Sequence, residues 1–210
     1  MTDRSLVVVT AGLSQPSTTR LLGDRLASAT ERALRERGEE PRTEVIEVRD
    51  HAQDLVNHLL TGFPPEGLQK TIDAVVGADG LIAVTPIFSA SYSGLFKLFF
   101  DVIEHEALSG VPVLIGATGG TARHSLALEH AVRPLFTYLG GNVMRTAVYA
   151  ASEDWGASEA PADAGLAERI SRAAGELAAA MSGSRRAPVP DRFEDPIPFE
   201  ELLRPRTLEG

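Results

Sequence analysis

Apolar positions change their spacing along this chain in a regular order. Val7-Val8-Val9 is a β-branched run that ends in a small, hydroxyl-bearing stretch from Thr10 to Thr19. Beyond it Leu22, Leu26, Ala29 and Ala33 recur at helical spacing, up to a stop signal at Arg37-Gly38. The stretch predicts strand, loop, helix. Thr43 to Val48 alternates like a short strand nearer a sheet edge, paired beside the first. His51 to Leu60 predicts a weak helix broken at Gly62-Phe63-Pro64-Pro65. Leu68 to Ala78 predicts a second, with Leu68, Ile72, Val75 and Val76 inward.

Gly80 to Thr85 is apolar without alternation, as a central parallel strand covered on both faces requires, and it runs into the loop Pro86 to Gly94. Leu95, Phe96, Leu98, Phe99, Phe100, Val102 and Ile103 then cover more than one helix face. A helix apolar on two sides is covered by the sheet and by something else, which predicts a subunit interface; the plainer alternative is a deep core helix. Val111 to Ile115 is another buried strand, ending in Gly116-Ala117-Thr118-Gly119-Gly120-Thr121. Arg123 to Leu139 predicts a helix burying Leu128, Ala131, Val132, Leu135 and Leu139, with Pro134 forcing a kink or restart. Val143 to Tyr149 is the last strand. Asp163 to Met181 is the last helix, with Leu166, Ile170, Ala173, Ala174, Leu177 and Met181 on one stripe.

Strand and helix thus alternate through residues 1–182, which predicts an α/β domain: a five-stranded parallel sheet in a three-layer sandwich with right-handed crossovers. Residues 183–210 form a Pro-rich tail. Its Phe193, Ile197, Phe199, Leu202 and Leu203 are many for a solvating segment, so an arm packed on its own or a neighbouring subunit is expected.

Ligands of such sheets bind outside the carboxyl ends of the strands, and in the flavodoxin-like order 2-1-3-4-5 the loops after strands one, three and four lie side by side there. The first loop suits a phosphate, because a helix N-terminus offers unpaired N–H groups and positive dipole, with hydroxyls at Ser14, Ser17, Thr18 and Thr19 as further donors. Alternatively Ser17 or Thr18 only caps the helix. Glycines in the third loop let backbone N–H groups come close to a ligand. Trp155, just beyond the last strand, either covers that ligand or packs as a loop aromatic.

Composition narrows the partners. A formal net charge of −9 with no basic run beyond Arg185-Arg186 argues against nucleic acid and anionic membrane surfaces. With no cysteine there is no thiol nucleophile, disulfide or Cys-based metal site, and His51/His58 and His124/His130 lack metal-ligand spacing. No signal segment or long apolar run is evident, so a cytoplasmic protein is expected. Neither the Gly-x-Ser-x-Gly elbow nor the Gly-x-Gly-x-x-Gly fingerprint occurs.

Three segments, in order and spacing, resemble the NADPH-dependent FMN reductase family over about residues 5 to 180. They are Ser17-Thr18-Thr19-Arg20-Leu21-Leu22; Pro86-Ile87-Phe88-Ser89 with Gly94-Leu95-Phe96-Lys97; and Thr118-Gly119-Gly120 with Leu128, Arg133-Pro134-Leu135 and Leu139-Gly140. The resemblance implies a flavodoxin-like fold and non-covalent FMN, its phosphate at Ser14, Ser17, Thr18 and Thr19. The isoalloxazine would rest on Pro86, Ile87, Phe88, Ser89 and Ser91, with Thr118, Gly119, Gly120 and Thr121 at its pyrimidine edge. It also implies hydride transfer from NADPH or NADH, a homodimer or homotetramer, and a flavin-dependent monooxygenase as a partner supplied with reduced flavin. Ser14 occupies the place of an arginine common in the family's first loop, which leaves the nicotinamide preference open. Hydride transfer between stacked rings needs positioning and backbone donors rather than an acid or base, so no catalytic side chain is expected. Quinone or azo reduction at the same site, and a flavodoxin-type electron carrier without nicotinamide activity, are the alternatives.

Overall fold

The computed structural model describes residues 2–155 and 162–183, so the tail from Ser184 onward lies outside the described residues. A sheet forms the middle layer. Its strands are β1 (Thr2–Thr10), β2 (Glu39–Glu47), β3 (Gly80–Phe88), β4 (Ser91–Tyr92), β5 (Pro112–Gly119), β6 (Asn142–Val143) and β7 (Val148–Ala151). The order is β2-β1-β3-β5-β6, with β7 also paired to β5 and β4 turned back antiparallel on β3. All other pairings are parallel. With β6 and β7 as one interrupted strand and β4 as a hairpin return, this is the expected flavodoxin-like 2-1-3-4-5 order.

Alternation along β1 builds two cores from one strand. Val7 and Val9 face one layer while Leu6 and Val8 face the other, as the period of two dictates. The first layer holds α2 (Ala52–Thr61), α3 (Glu66–Val76), α4 (Gly94–Asp101) and α5 (Arg133–Tyr138); the second holds α1 (Thr18–Arg35) and α6 (Ala162–Gly183). In the first layer Phe136 meets Phe96 and Phe100 edge-on, with Phe100 and Phe136 centroids 4.7 Å apart. No helix among the described residues is long and apolar enough to cross a membrane.

Three elements differ from the sequence reading. β2 begins earlier than Thr43, at Glu39, because its first residues pair with Thr2 to Arg4 of β1. The strand expected over Val143 to Tyr149 is broken. Its register against β5 slips by two residues between Val113↔Val143 and Gly116↔Val148. Side chains serve the bulged backbone there: Arg133 donates to the carbonyls of Met144 and Arg145 at 2.9 and 3.2 Å, and the Thr146 N–H donates to Glu176 at 2.9 Å.

The helix expected over Arg123 to Leu139 is likewise three pieces: a 3₁₀ turn at Ala122–His124, a π turn at Leu128–Val132, and α5. Pro134 has no N–H for the His130 carbonyl and its ring crowds that oxygen, so the α ladder cannot run through it. The preceding turn widens instead, and the Arg133 N–H reaches back to the Leu128 carbonyl. The restart anticipated at Pro134 is thus present. Along α4, Phe96, Phe99 and Phe100 are buried, whereas Leu95, Leu98 and Val102 are only partly covered.

Candidate functional site

The loops after β1, β3 and β5 meet at the carboxyl end of the sheet, and Thr118 is where they join. Its hydroxyl lies 2.8 Å from that of Thr19, both residues being buried, and its Cα is the ladder partner of Pro86. Thr118 is therefore held both to Thr19 at the start of α1 and to Pro86 in β3. Thr19, expected as a phosphate donor, is turned inward as a brace between α1 and β5.

The first loop leaves β1 along β3, the Ala11 N–H donating to the Val84 carbonyl at 3.0 Å. Ser17 caps α1, its Oγ accepting from the Arg20 N–H at 3.2 Å, and the first turn carries no acidic side chain. Ser17 is therefore the cap of α1, and the helix N-terminus has no anionic side chain of its own. Ser14 and Thr18 are exposed and Ser17 half-buried. Gly12 runs so close beneath this cap that a Cβ there would stand 2.0 Å from Ser17 Oγ, a cradle only glycine allows.

In the second loop β3 continues through Pro86, Ile87 and Phe88, turns over Ser89 and Ala90 and returns as β4. Ser89 and Ala90 both have positive φ, 50° and 66°. The Ser93 N–H donates to buried Thr85 Oγ1 at 3.1 Å, and Ser93 Oγ then caps α4. Pro86 is buried, Ile87 and Ser91 half-buried, and Phe88 and Ser89 exposed.

The third loop is propped from below by a residue that its own sequence does not reveal. The Tyr149 hydroxyl donates to the Thr121 carbonyl at 2.8 Å, and a Cβ on Gly119 would come within 2.0 Å of that oxygen. Burial pushes the Tyr149 phenol above its usual range, with the Glu153 charge adding to it, so it stays a donor. Gly119 and Thr121 are half-buried and Gly120 is exposed; the Gly119 Cβ position lies 3.8 Å from Ile87 Cβ, which joins the third loop to the second. Trp155 faces elsewhere, its ring 5.0 Å from the Arg25 guanidinium and packed against the α1–α6 core.

Charge at the rim is concentrated beside the first loop. Arg49, in the 3₁₀ turn Val48–His51 that follows β2, donates to the Ser14 carbonyl at 2.9 Å. Glu47 accepts from Arg20 at 2.7 Å and lies 2.6 Å from Arg49. Hydrogen bonding to Asp24 holds the Arg20 guanidinium above its ordinary range, burial opposing this and the Asp24 and Glu47 charges reinforcing it. Tyr149 and Arg49 act on loops from which they are 28 and 35 residues away, and no local pattern marks them; Thr118 was expected at the site, but not its tie to Thr19, 99 residues away.

The donor set fits a phosphorylated planar ligand: a glycine cradle under a helix N-terminus without acidic side chains, a half-apolar hairpin wall, and a partly exposed glycine loop. Comparisons with known proteins agree. A family model described as NADPH-dependent FMN reductase matches residues 5–156. An FMN reductase (NADPH) of Pseudomonas aeruginosa is 36% identical over 86% of this chain and 93% of its own. An NADH-dependent FMN reductase, SfnE, of Pseudomonas putida is 35% identical over 89% and 96%. Among solved structures, an oxidoreductase from Corynebacterium diphtheriae superposes with a TM-score of 0.84 at 42% identity, over 88% of this chain and all of that one. The apo form of an NADH:FMN oxidoreductase, EmoB, superposes with a TM-score of 0.68 at 31% identity, over 83% and 90%.

Proposed function

Since the chain belongs to the NADPH-dependent FMN reductase family, we propose that its FMN site is the junction of the three loops at the carboxyl end of the sheet. FMN, when bound, accepts a hydride from NADPH or NADH. The observation that carries the placement is the lock at Thr118, which holds the phosphate loop, the hairpin and the glycine loop in one fixed relation. Ser14, Ser17 and Thr18, with the first amides of α1, bind the phosphate, while Thr19 keeps that helix end in place through Thr118. Pro86, Ile87, Phe88, Ser89 and Ser91 form the wall against the isoalloxazine and exclude water from one of its faces. Thr118 to Thr121 present backbone to its pyrimidine edge, where donors stabilise developing negative charge. No side chain moves a proton in this scheme, and its contribution is orientation and dryness.

Each ligand-end loop also presents one large exposed apolar side chain, Leu13, Phe88 and Leu126. That rim favours handing reduced flavin to a docked monooxygenase, and the partly covered side of α4 favours a homodimer or homotetramer. The test is an absorbance titration of purified protein with FMN, followed by NADPH and NADH under air. Flavin binding with steady nicotinamide oxidation is expected. Bound flavin without oxidation would make the protein an electron carrier, and no flavin binding would overturn the site.

A further inference from the structure

Between Gly12 and Thr19 the phosphate loop holds no basic side chain. It is gripped from outside instead. Arg49 Nη1 donates to the Ser14 carbonyl at 2.9 Å, Nη2 lies 2.6 Å from Glu47 Oε2, and Nε lies 3.7 Å from Asp50 Oδ1. The other Glu47 oxygen takes Arg20 Nη1 at 2.7 Å, and Arg20 Nε donates to Asp24 at 2.8 Å. A relay of alternating charges therefore runs from α1 across the end of β2 to the loop backbone. The Arg49 and Glu47 side chains are 17% and 18% exposed, so the pair is held in place and weakly screened by solvent.

We propose that Arg49 is the positioning residue of the phosphate loop, and that through Ser14 it sets the preference for phosphorylated over unphosphorylated flavin. The proposal rests on the FMN site given above. A carbonyl oxygen facing an anion repels it, and turning the Ser14 oxygen out to a guanidinium removes that acceptor from the phosphate's surroundings. Because the peptide is planar and trans, the Gln15 N–H then points away from Arg49, across the loop. Glu47 holds the guanidinium at this angle through its second fork, which lysine lacks.

Flavin fluorescence quenching tests this with FMN and riboflavin against the wild-type protein and Arg49→Gln, Arg49→Lys and Glu47→Gln, each checked by a thermal melt. Loss of a charge-assisted bond predicts that Arg49→Gln raises the FMN Kd about tenfold while the riboflavin Kd moves less than about twofold. Arg49→Lys should fall between, since an ammonium still reaches the carbonyl. Glu47→Gln leaves the loop contact intact and loosens only its anchor, so a smaller loss confined to FMN is expected. Equal weakening of both flavins, or an unchanged FMN Kd in Arg49→Gln, would overturn the proposal; if that variant fails to fold, Arg49→Lys and Glu47→Gln decide by the same criterion. A wild-type protein that binds neither flavin refutes the site itself, whereas one that binds both equally refutes only the role of Arg49.

Discussion

Two backbone positions at the rim store strain that a single substitution can release. The turn between Phe88 and Ser91 spans two residues, and both have positive φ although neither is glycine. Two-residue hairpins with this backbone favour Asn-Gly, and a non-glycine residue there costs on the order of 1 kcal/mol. Ala90→Gly should therefore stabilise the protein by about 0.5–1 kcal/mol after the added freedom of the unfolded chain is subtracted, raising Tm by about 1–4 °C. A melting curve checks it, and a lower Tm would show the turn to be relaxed. At Gly119 the sign is opposite. Gly119→Ala places a methyl 2.0 Å from the Tyr149 hydroxyl, which must give up the Thr121 carbonyl. A loss of about 1–3 kcal/mol is expected in the wild type, and a smaller one in a Tyr149→Phe background, by urea unfolding of all four proteins. Of these contacts the glycines were legible in the sequence and their reasons were not. Glycine in a loop signals close approach, but only the folded chain brings a tyrosine from β7 beneath it.

At the scale of elements, periodicity located the longer regular helices and strands, missed the two-residue β4, and left the breaks in the last strand and in the helix before it unplaced apart from the restart at Pro134. Leu22 to Ala33 follows one period throughout and Gly80 to Val84 is apolar without a break, so both elements were readable, and for the helix its buried face as well. The fifth strand and the helix before it are broken in the fold, although the helix segment is periodic in sequence. A two-residue slip is satisfied by Arg133 and Glu176, which sit on other elements, and neither partner is adjacent in sequence. Glu176 ties α6 to this bulge through the Thr146 N–H and hydroxyl. Burial pushes its carboxyl up, but the hydrogen bonds from Thr146 and the nearby Arg145 outweigh this and hold it below the usual range. A carboxylate depressed by folding contributes stability that is complete above its unfolded pKa, about 4.3, and is lost as pH falls through the folded value. Glu176→Gln should thus be less stable than wild type at pH 7, with the gap closing below about pH 4. Urea midpoints across that range decide it, and a constant gap would mean that the contact is not charge-dependent.

For the molecule as a whole, the meeting of the three loops was legible, because parallel α/β sheets bring alternate loops to one end whatever their sequences. The self-association proposed above would use a different surface. Val56, Leu59, Leu60 and Phe63 are exposed on one side of α2 and just beyond it, Leu60 and Phe63 each by 80%, and α2 packs against α4, whose Leu95 and Leu98 are half-covered, as is Val102 just after it. Contiguous apolar surface of this kind is rare on monomers and gains about 25 cal/mol per Å² when covered. A net charge of −9 on each copy opposes that gain, and salt screens the repulsion without weakening apolar burial. Light scattering should therefore report a multiple of 22.4 kDa, with the larger species favoured as ionic strength rises. Leu60→Glu combined with Phe63→Glu should lower the mass while changing the stability of the separated subunit by less than about 0.5 kcal/mol per site, since both side chains are open to water in the single chain. A wild-type protein of monomer mass at every salt concentration would instead leave the α2–α4 face for a different protein to cover.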